Sequence, residues 1–224
     1  MVDWPIITEF CLQALRGSEP KQIVTVNGEI ILEADRNPIY KEVINKADMN
    51  IPDSTNVYWV SQLKGQLLPM ITPGSDLVIR LAELATKNSY SIFLLGGRGD
   101  VPEKAASALK KQFSNLKIAG TSNTNPHDQT VLKQIQTSQA DILLVAYGAP
   151  KQEFWIAEHK SKLPTRILVG VGGTFDMLAG VLPRAPQIFR LLHLEWLWRV
   201  IIQPSRLSRV FNAVVVFPLK ALFS

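Results

Sequence analysis

Three groups of residues in this sequence have the types and spacings to do chemistry. Asp53 closes the short run Met49-Asn50-Ile51-Pro52. A carboxylate at a strand end can take a proton from an attacking hydroxyl, or it can cap the helix that Val57, Trp59 and Leu63 predict from Ser54 onward. Gly148 and the pair Gly172-Gly173 follow two apolar runs, 142–146 and 167–171. Ligands of open parallel sheets gather at the carboxyl ends of strands, where glycines let backbone N–H groups approach an anion closely. The alternative is a pair of ordinary glycine turns. Arg199 and Arg206 are seven residues apart and so return to one helical face, with Arg209 about one turn further on. The planar fork of arginine suits phosphate oxygens. The alternative for the arginines is a solvated basic face.

The elements that must position them alternate regularly. Runs 142–146 and 167–171 are apolar stretches rich in Val, Leu and Ile, the pattern of parallel strands covered on both faces. Between them 152–162 has the length of a crossover helix with Pro150 near its first turn. The spacing also predicts helices over 6–16, 29–47 (divided at Asn37-Pro38), 54–63, 76–87, 101–113 and 127–137. Further strands are expected over 23–28, 49–53, 91–95 and 117–119. The expected architecture is α/β, a Rossmann-like, mainly parallel sheet flanked by helices. Residues 1–186 would form the catalytic core and 187–224 a basic, apolar helical appendage.

Composition excludes several classes. The apolar content and near-even charge are those of a globular protein, and the single cysteine, Cys11, rules out an internal disulfide and fits a packed helix residue in a reducing compartment. Gly96-Gly97-Arg98-Gly99 resembles a dinucleotide fingerprint, but Pro102 stands at the third glycine position and no acid follows the next strand, so no nicotinamide or flavin cofactor is expected. A phosphate or uridine contact at this helix start stays open. The three histidines are scattered and no D-x-D occurs, so no metal site is expected either.

The net charge of +5 lies entirely in the tail. Residues 181–224 hold six basic side chains and one acidic, which leaves eighteen of each (24 − 6 and 19 − 1) for the rest. Combined with tail Trp, Leu, Val and Phe, this favours an anionic membrane surface over nucleic acid, with an oligomer interface as the other reading. The uncharged run 210–219 is far shorter than the ~20 residues of a spanning helix. The first ten residues lack the cationic and apolar regions of a secretory signal, so a cytoplasmic protein, peripheral on the inner membrane face, is expected.

GAPKQEFW at 148–155, GVGGTFDMLAG at 170–180, PRAP at 183–186 and LEWLWR at 194–199 occur in this order and spacing. With them the chain resembles the WecG/TagA/CpsF glycosyltransferases, which add a sugar from a nucleotide donor to a polyprenol-linked acceptor. The resemblance implies an inverting, metal-independent transferase. Its donor would be a UDP-linked N-acetylhexosamine, N-acetylmannosamine or its uronic acid, and its acceptor polyprenyl-diphosphate-linked N-acetylglucosamine. It implies Asp53 as the base, matched by an aspartate after a V/I-P pair, and Thr25 with Asn27, matching a T-x-N, as groups that orient sugar or acceptor. Gln152 of PKQE would contact donor or acceptor, with Glu153 a first-turn charge. Gly172 and Gly173 would pass close to the donor, and Asp176 would bind a ribose hydroxyl or cap the next helix. Arg199, Arg206 and Arg209 would meet the diphosphate. The sequence departs from the family pattern at Ser54, where glycine is usual, and at Ile71, where arginine is common. A binding or scaffold protein of the same fold, without catalysis, is the alternative.

Overall fold

The computed structural model describes residues 4–223 except Leu67, Pro69, Met70, Arg184 and His193, and except the side chains of Arg190, Leu191 and Glu195. Arg184 of the PRAP motif therefore lies outside the described residues. Along the chain run α1 (Trp4–Arg16), β1 (Lys21–Val26), α2 (Gly28–Arg36), α3 (Pro38–Asn45), β2 (Met49–Pro52), α4 (Thr55–Leu63) and α5 (Gly74–Asn88). Then follow β3 (Ser91–Gly96), α6 (Val101–Gln112), β4 (Lys117–Ser122), α7 (Thr130–Ser138), β5 (Ile142–Ala146), α8 (Lys151–His159), β6 (Ile167–Gly170) and α9 (Thr174–Leu178). The tail contributes α10 (Gln187–Leu191), α11 (Glu195–Ile202), α12 (Leu207–Phe211) and α13 (Phe217–Phe223).

The six strands form one sheet in the order β2-β1-β6-β5-β3-β4, and every pair is parallel. All carboxyl ends therefore share one edge. The side chains alternate between two cores. Ile23, Ile92, Leu94, Ile142, Leu144, Ile167 and Val169 face α1, α5, α6 and α9, while Phe93, Leu95, Leu143, Val145 and Leu168 face α7 and α8. Val24, one residue after Ile23, turns to α2, α3 and α8 with Ile30, Tyr40 and Phe154. Two covered faces explain the unbroken apolar runs.

The division of the 29–47 segment occurs at Asn37, which ends α2 with its backbone N–H and begins α3 by accepting from the Tyr40 N–H at 3.1 Å. β4 runs longer than the sequence suggests. Gly120, Thr121 and Ser122 continue to pair with Phe93, Leu94 and Leu95 beyond a register shift, which side-chain pattern alone does not reveal. α7 starts later than expected because Asp128 accepts from the Thr130 N–H at 2.9 Å and holds the preceding residues in a turn. Cys11 is buried in α1, and that burial pushes its thiol up to about 12, as suits a packed residue.

The tail's second half is docked on the core. Phe217 packs with Leu32, Val57 and Val60, Asn56 Nδ2 donates to the Ala213 carbonyl, Lys64 Nζ donates to the Ala221 carbonyl at 2.6 Å, and Lys220 pairs with Asp35. Between α12 and α13 the backbone is π-helical over Asn212–Val216. Pro218 lacks an N–H and its ring would collide with the carbonyl four residues earlier, and the wider turn relieves both problems. The dock requires glycine at position 28: a Cβ there would lie 2.9 Å from the Ala213 carbonyl oxygen and 2.9 Å from Asn56 Nδ2. Gly28→Ala is expected to cost about 2 kcal/mol by overpacking and to lower the melting midpoint by roughly 4–8 °C. Limited proteolysis should then cut the tail first, and an unchanged midpoint would refute the close dock.

Candidate functional site

β1 and β2 pair in register, with Thr25 opposite Ile51 and Val26 opposite Pro52, so the residues that follow both strands emerge together. Asp53 begins there, its N–H donated to the Val26 carbonyl at 2.8 Å. Its carboxylate does not cap α4, whose N-cap is Ser54; instead Oδ1 accepts from the Gly74 N–H, the start of α5, at 2.6 Å. Thr25 lies on the same side. A Cβ placed on Gly74 would stand 3.5 Å from Thr25 Oγ1 and 3.8 Å from Asp53 Oδ1, so hydroxyl and carboxylate converge on one glycine. Thr25 Oγ1 also donates to the Gly170 carbonyl at 3.4 Å, which ties the β1 end to β6. Asn27 caps α2 through the Ile30 N–H at 3.1 Å, so at least its oxygen serves the fold.

The loops after β5 and β6 lie side by side, as the strand-helix-strand reading requires, with the Val171 N–H donated to the Val145 carbonyl at 2.8 Å. Gln152 sits between them rather than at their rim. It is 4% exposed, and its Oε1 accepts from the Gly148 N–H at 3.1 Å and the Gly172 N–H at 3.0 Å. The Gly172 N–H is thus engaged inside the protein. The side chain lies flat on the end of β6, where a Cβ on Gly170 would come within 2.6 Å of Gln152 Nε2. Glu153 departs from the expectation of an exposed first-turn charge. It is 1% exposed, accepting from Gln152 Nε2 at 2.7 Å and from the Tyr40 hydroxyl at 3.0 Å. Its helix turn faces α3 and β1, so burial rather than the helix dipole governs it, and that burial pushes its carboxyl up against the opposing hydrogen bonds.

All three tail arginines reach this same edge. Arg206 Nη2 and Asp176 Oδ2 each stand 3.8 Å from the place of a Cβ on Gly173, so cation and carboxylate flank the second glycine of the pair. Arg199 Nη2 lies 3.9 Å from the Met177 sulfur in α9, and Arg209 donates from Nε and Nη2 to Glu29 Oε2 at 2.9 and 2.5 Å. Arg206 is half-buried. Desolvation lowers its proton affinity most, followed by the cations Arg199 and Arg209, while Glu29 and Asp176 oppose them. Three cations thus face two carboxylates beside a strand-end loop, an arrangement that a diphosphate would complete.

Several members of this site carried no signal in the sequence. Gly74 supplies the N–H that holds Asp53, and the sequence marks it only as the glycine that opens the next helix, three residues after Ile71. Glu29 holds Arg209 across a separation of 180 residues, which no local pattern reveals. Tyr40 and Glu153 meet inside the protein for the same reason. Among the described residues no group of three or more His, Cys, Asp and Glu could hold a metal ion.

The chain is 35% identical over 199 residues to an N-acetylglucosaminyldiphosphoundecaprenol N-acetyl-beta-D-mannosaminyltransferase of Staphylococcus aureus (strain MRSA252), covering 88% of this chain and 78% of that protein. It is 37% identical over 191 residues to a protein of the same name from Bacillus spizizenii, covering 85% of this chain and 74% of that one. The profile of the Glycosyl transferase WecG/TagA/CpsF family matches residues 2–224, and the chain belongs to that family.

Proposed function

We propose that the protein is an inverting glycosyltransferase that moves an N-acetylhexosamine, N-acetylmannosamine or its uronic acid, from a UDP-sugar to polyprenyl-diphosphate-linked N-acetylglucosamine in cell-surface polymer synthesis. The observation that carries the reading is the placement of a candidate base and a cation cluster at one edge of the sheet, Asp53 beyond β2 and Arg206 beside the Gly172-Gly173 loop of β6, with only β1 between these strands. The names of the relatives supply the acceptor class and the sugar.

In this reading Asp53 takes the proton of the acceptor hydroxyl as its oxygen forms a bond to the anomeric carbon. The bond to UDP breaks on the opposite face, which inverts the configuration. Thr25, beside Asp53, orients the incoming hydroxyl together with Asn27. Charge grows on the departing diphosphate, and Arg199, Arg206 and Arg209 meet it without a metal. Gln152 acts by setting the two glycine loops, and Asp176 stands where it can hold either Arg206 or a ribose hydroxyl. UDP release from UDP-N-acetylmannosamine, measured with a lipid-diphosphate-N-acetylglucosamine acceptor and a chelator, is expected to depend on the acceptor and to survive the chelator. No release with any acceptor would overturn the transferase, and release abolished by the chelator would overturn the metal-free mechanism.

The acceptor's lipid implies a membrane, and no helix among the described residues is long and apolar enough to cross one. The outer face of the tail suits a surface instead. Phe211, Val215, Leu219 and Leu222 are exposed along α12 and α13, and Trp59 and Leu63 of α4, which packs beside α13, are 59% and 70% exposed. This patch would rest on anionic lipid at the inner face, with Lys64 and Lys220 at its border. Replacing Trp59, Leu63 and Leu219 by serine together is expected to weaken sedimentation with vesicles containing phosphatidylglycerol by at least roughly tenfold, since each side chain removed from water contributes about 1.5–3 kcal/mol. Turnover on a short-chain, soluble acceptor should be unchanged, and unaltered vesicle binding would remove the patch from the membrane contact.

A further inference from the structure

We infer that Glu153, with Tyr40 behind it, is a positioning residue that fixes the amide of Gln152 and thereby the spacing of the two glycine loops around the site. The amide's orientation is decided by hydrogen-bond bookkeeping. Oε1 receives two backbone N–H groups, from Gly148 and Gly172, so the NH2 group must face the other way, and what it meets is Glu153 Oε1 at 2.7 Å. An amide has two donors and one accepting oxygen, and only this orientation satisfies both loops and the carboxylate. Glu153 Oε2 receives the Tyr40 hydroxyl at 3.0 Å, and Gln22 Nε2 reaches the Glu153 carbonyl at 3.4 Å.

Gln22, Tyr40, Gln152 and Glu153 are each at most 4% exposed, so this chain from α3 to the strand ends is dry. A buried carboxyl of this kind is costly to the fold, and an apolar pair of similar volume would be neutral or stabilising there. Its use lies in specificity of arrangement. Without the acceptor at Glu153 Oε1, the Gln152 NH2 would be left unsatisfied against β6, where the Gly170 position leaves no space for it to move inward. The amide would turn toward the loops, and both glycine N–H groups would lose their acceptor. The spacing between the β5 loop and the Gly172-Gly173 turn would then relax. Positions shifted by as little as about 1 Å at such a site cost on the order of a hundredfold in rate.

This inference rests on the proposed transfer reaction for its kinetic arm only. Three variants separate it from a plain structural role. Glu153→Gln keeps an oxygen for Gln152 and turns its own NH2 to the Tyr40 oxygen, so turnover and fold should stay within about threefold of the parent. Glu153→Leu combined with Tyr40→Phe removes the carboxyl and the hydroxyl together, and should still fold, with a melting midpoint within several degrees of the parent's because the gain from removing a buried carboxyl offsets part of the loss at Gln152. In that variant amide exchange at Gly148 and Gly172, followed by NMR, should quicken at least about tenfold, and turnover should fall roughly thirtyfold with donor KM little changed. A folded double variant with parental exchange at both glycines, or parental turnover, would overturn the inference. Should the double variant not fold, Glu153→Met alone decides, since it removes the acceptor of the Gln152 amide: faster exchange at both glycines supports the clamp and parental rates refute it. Quickened exchange in a protein whose parent transfers no sugar would leave the clamp standing and remove the transferase reading instead.

Discussion

Asp53→Asn should reduce UDP release about 1,000-fold while leaving donor affinity and thermal stability close to the parent's, because a general base typically contributes 10²–10⁴ in rate. Asparagine matches the volume of aspartate and keeps an oxygen to accept from the Gly74 N–H, the contact that holds Asp53 at 2.6 Å. The bond between β2 and α5 therefore survives the change, and so does the Asp53 N–H bond to Val26. What disappears is the ability to take a proton. Loss of turnover with an unchanged melting midpoint would separate the chemical role from a structural one. The structural role is not trivial, because the same oxygen organises the start of a fifteen-residue helix. Turnover within tenfold of the parent would transfer the base to another group at this edge, and a melting midpoint several degrees lower would show that the charge itself is needed for the α5 contact.

How much of this was legible in the sequence follows from the range of the interactions concerned. β5 and β6 were visible because their burial on both faces forces an unbroken apolar run, and the break between α2 and α3 because Asn37-Pro38 acts locally. The β1–β2 pairing that brings Thr25 to Asp53 could be anticipated from two short strands ending in polar residues. Side-chain direction could not. Gln152 and Glu153 occupy the first turn of α8, where a charge is normally solvated, yet both point inward because α3 covers that turn and Tyr40 offers a hydroxyl. The glycine at 170 likewise reads as the end of a strand, whereas its role is to leave room for the Gln152 amide. The tail's arginines carried a helical spacing, but which partner each would find depended on α2 and α9, far away in sequence. Family motifs supplied the residues, and tertiary contact assigned them their neighbours.

Arg206→Ala carries the second large expectation, a loss of about a hundredfold in turnover, in the range measured when one preorganised donor to a developing anion is removed. Of the three tail arginines it is the one placed at the glycine pair, with Nη2 3.8 Å from the Cβ position of Gly173. Its neighbourhood is unfavourable to a cation without ligand. Burial takes it out of water, and Arg199 and Arg209 repel it more than Glu29 and Asp176 attract it. A donor diphosphate would reverse that balance by bringing negative charge to a group already desolvated, where screening by salt is weak. In the proposed reaction such a residue contributes little to the fold and serves the ligand, so the alanine variant should melt at the parental temperature or slightly above it. Arg206→Lys restores the charge without the planar fork and should recover no more than about a tenth of parental turnover. Arg209→Ala should behave differently. Its guanidinium is bound to Glu29, and its loss would release α12 from α2 as well as remove the proposed phosphate contact, so turnover and the tail's resistance to protease should fall together. If Arg206→Ala instead destabilised the protein while leaving turnover intact, the cluster would be a fastening for the tail, and the diphosphate would have to be met by the backbone at the β5 and β6 ends.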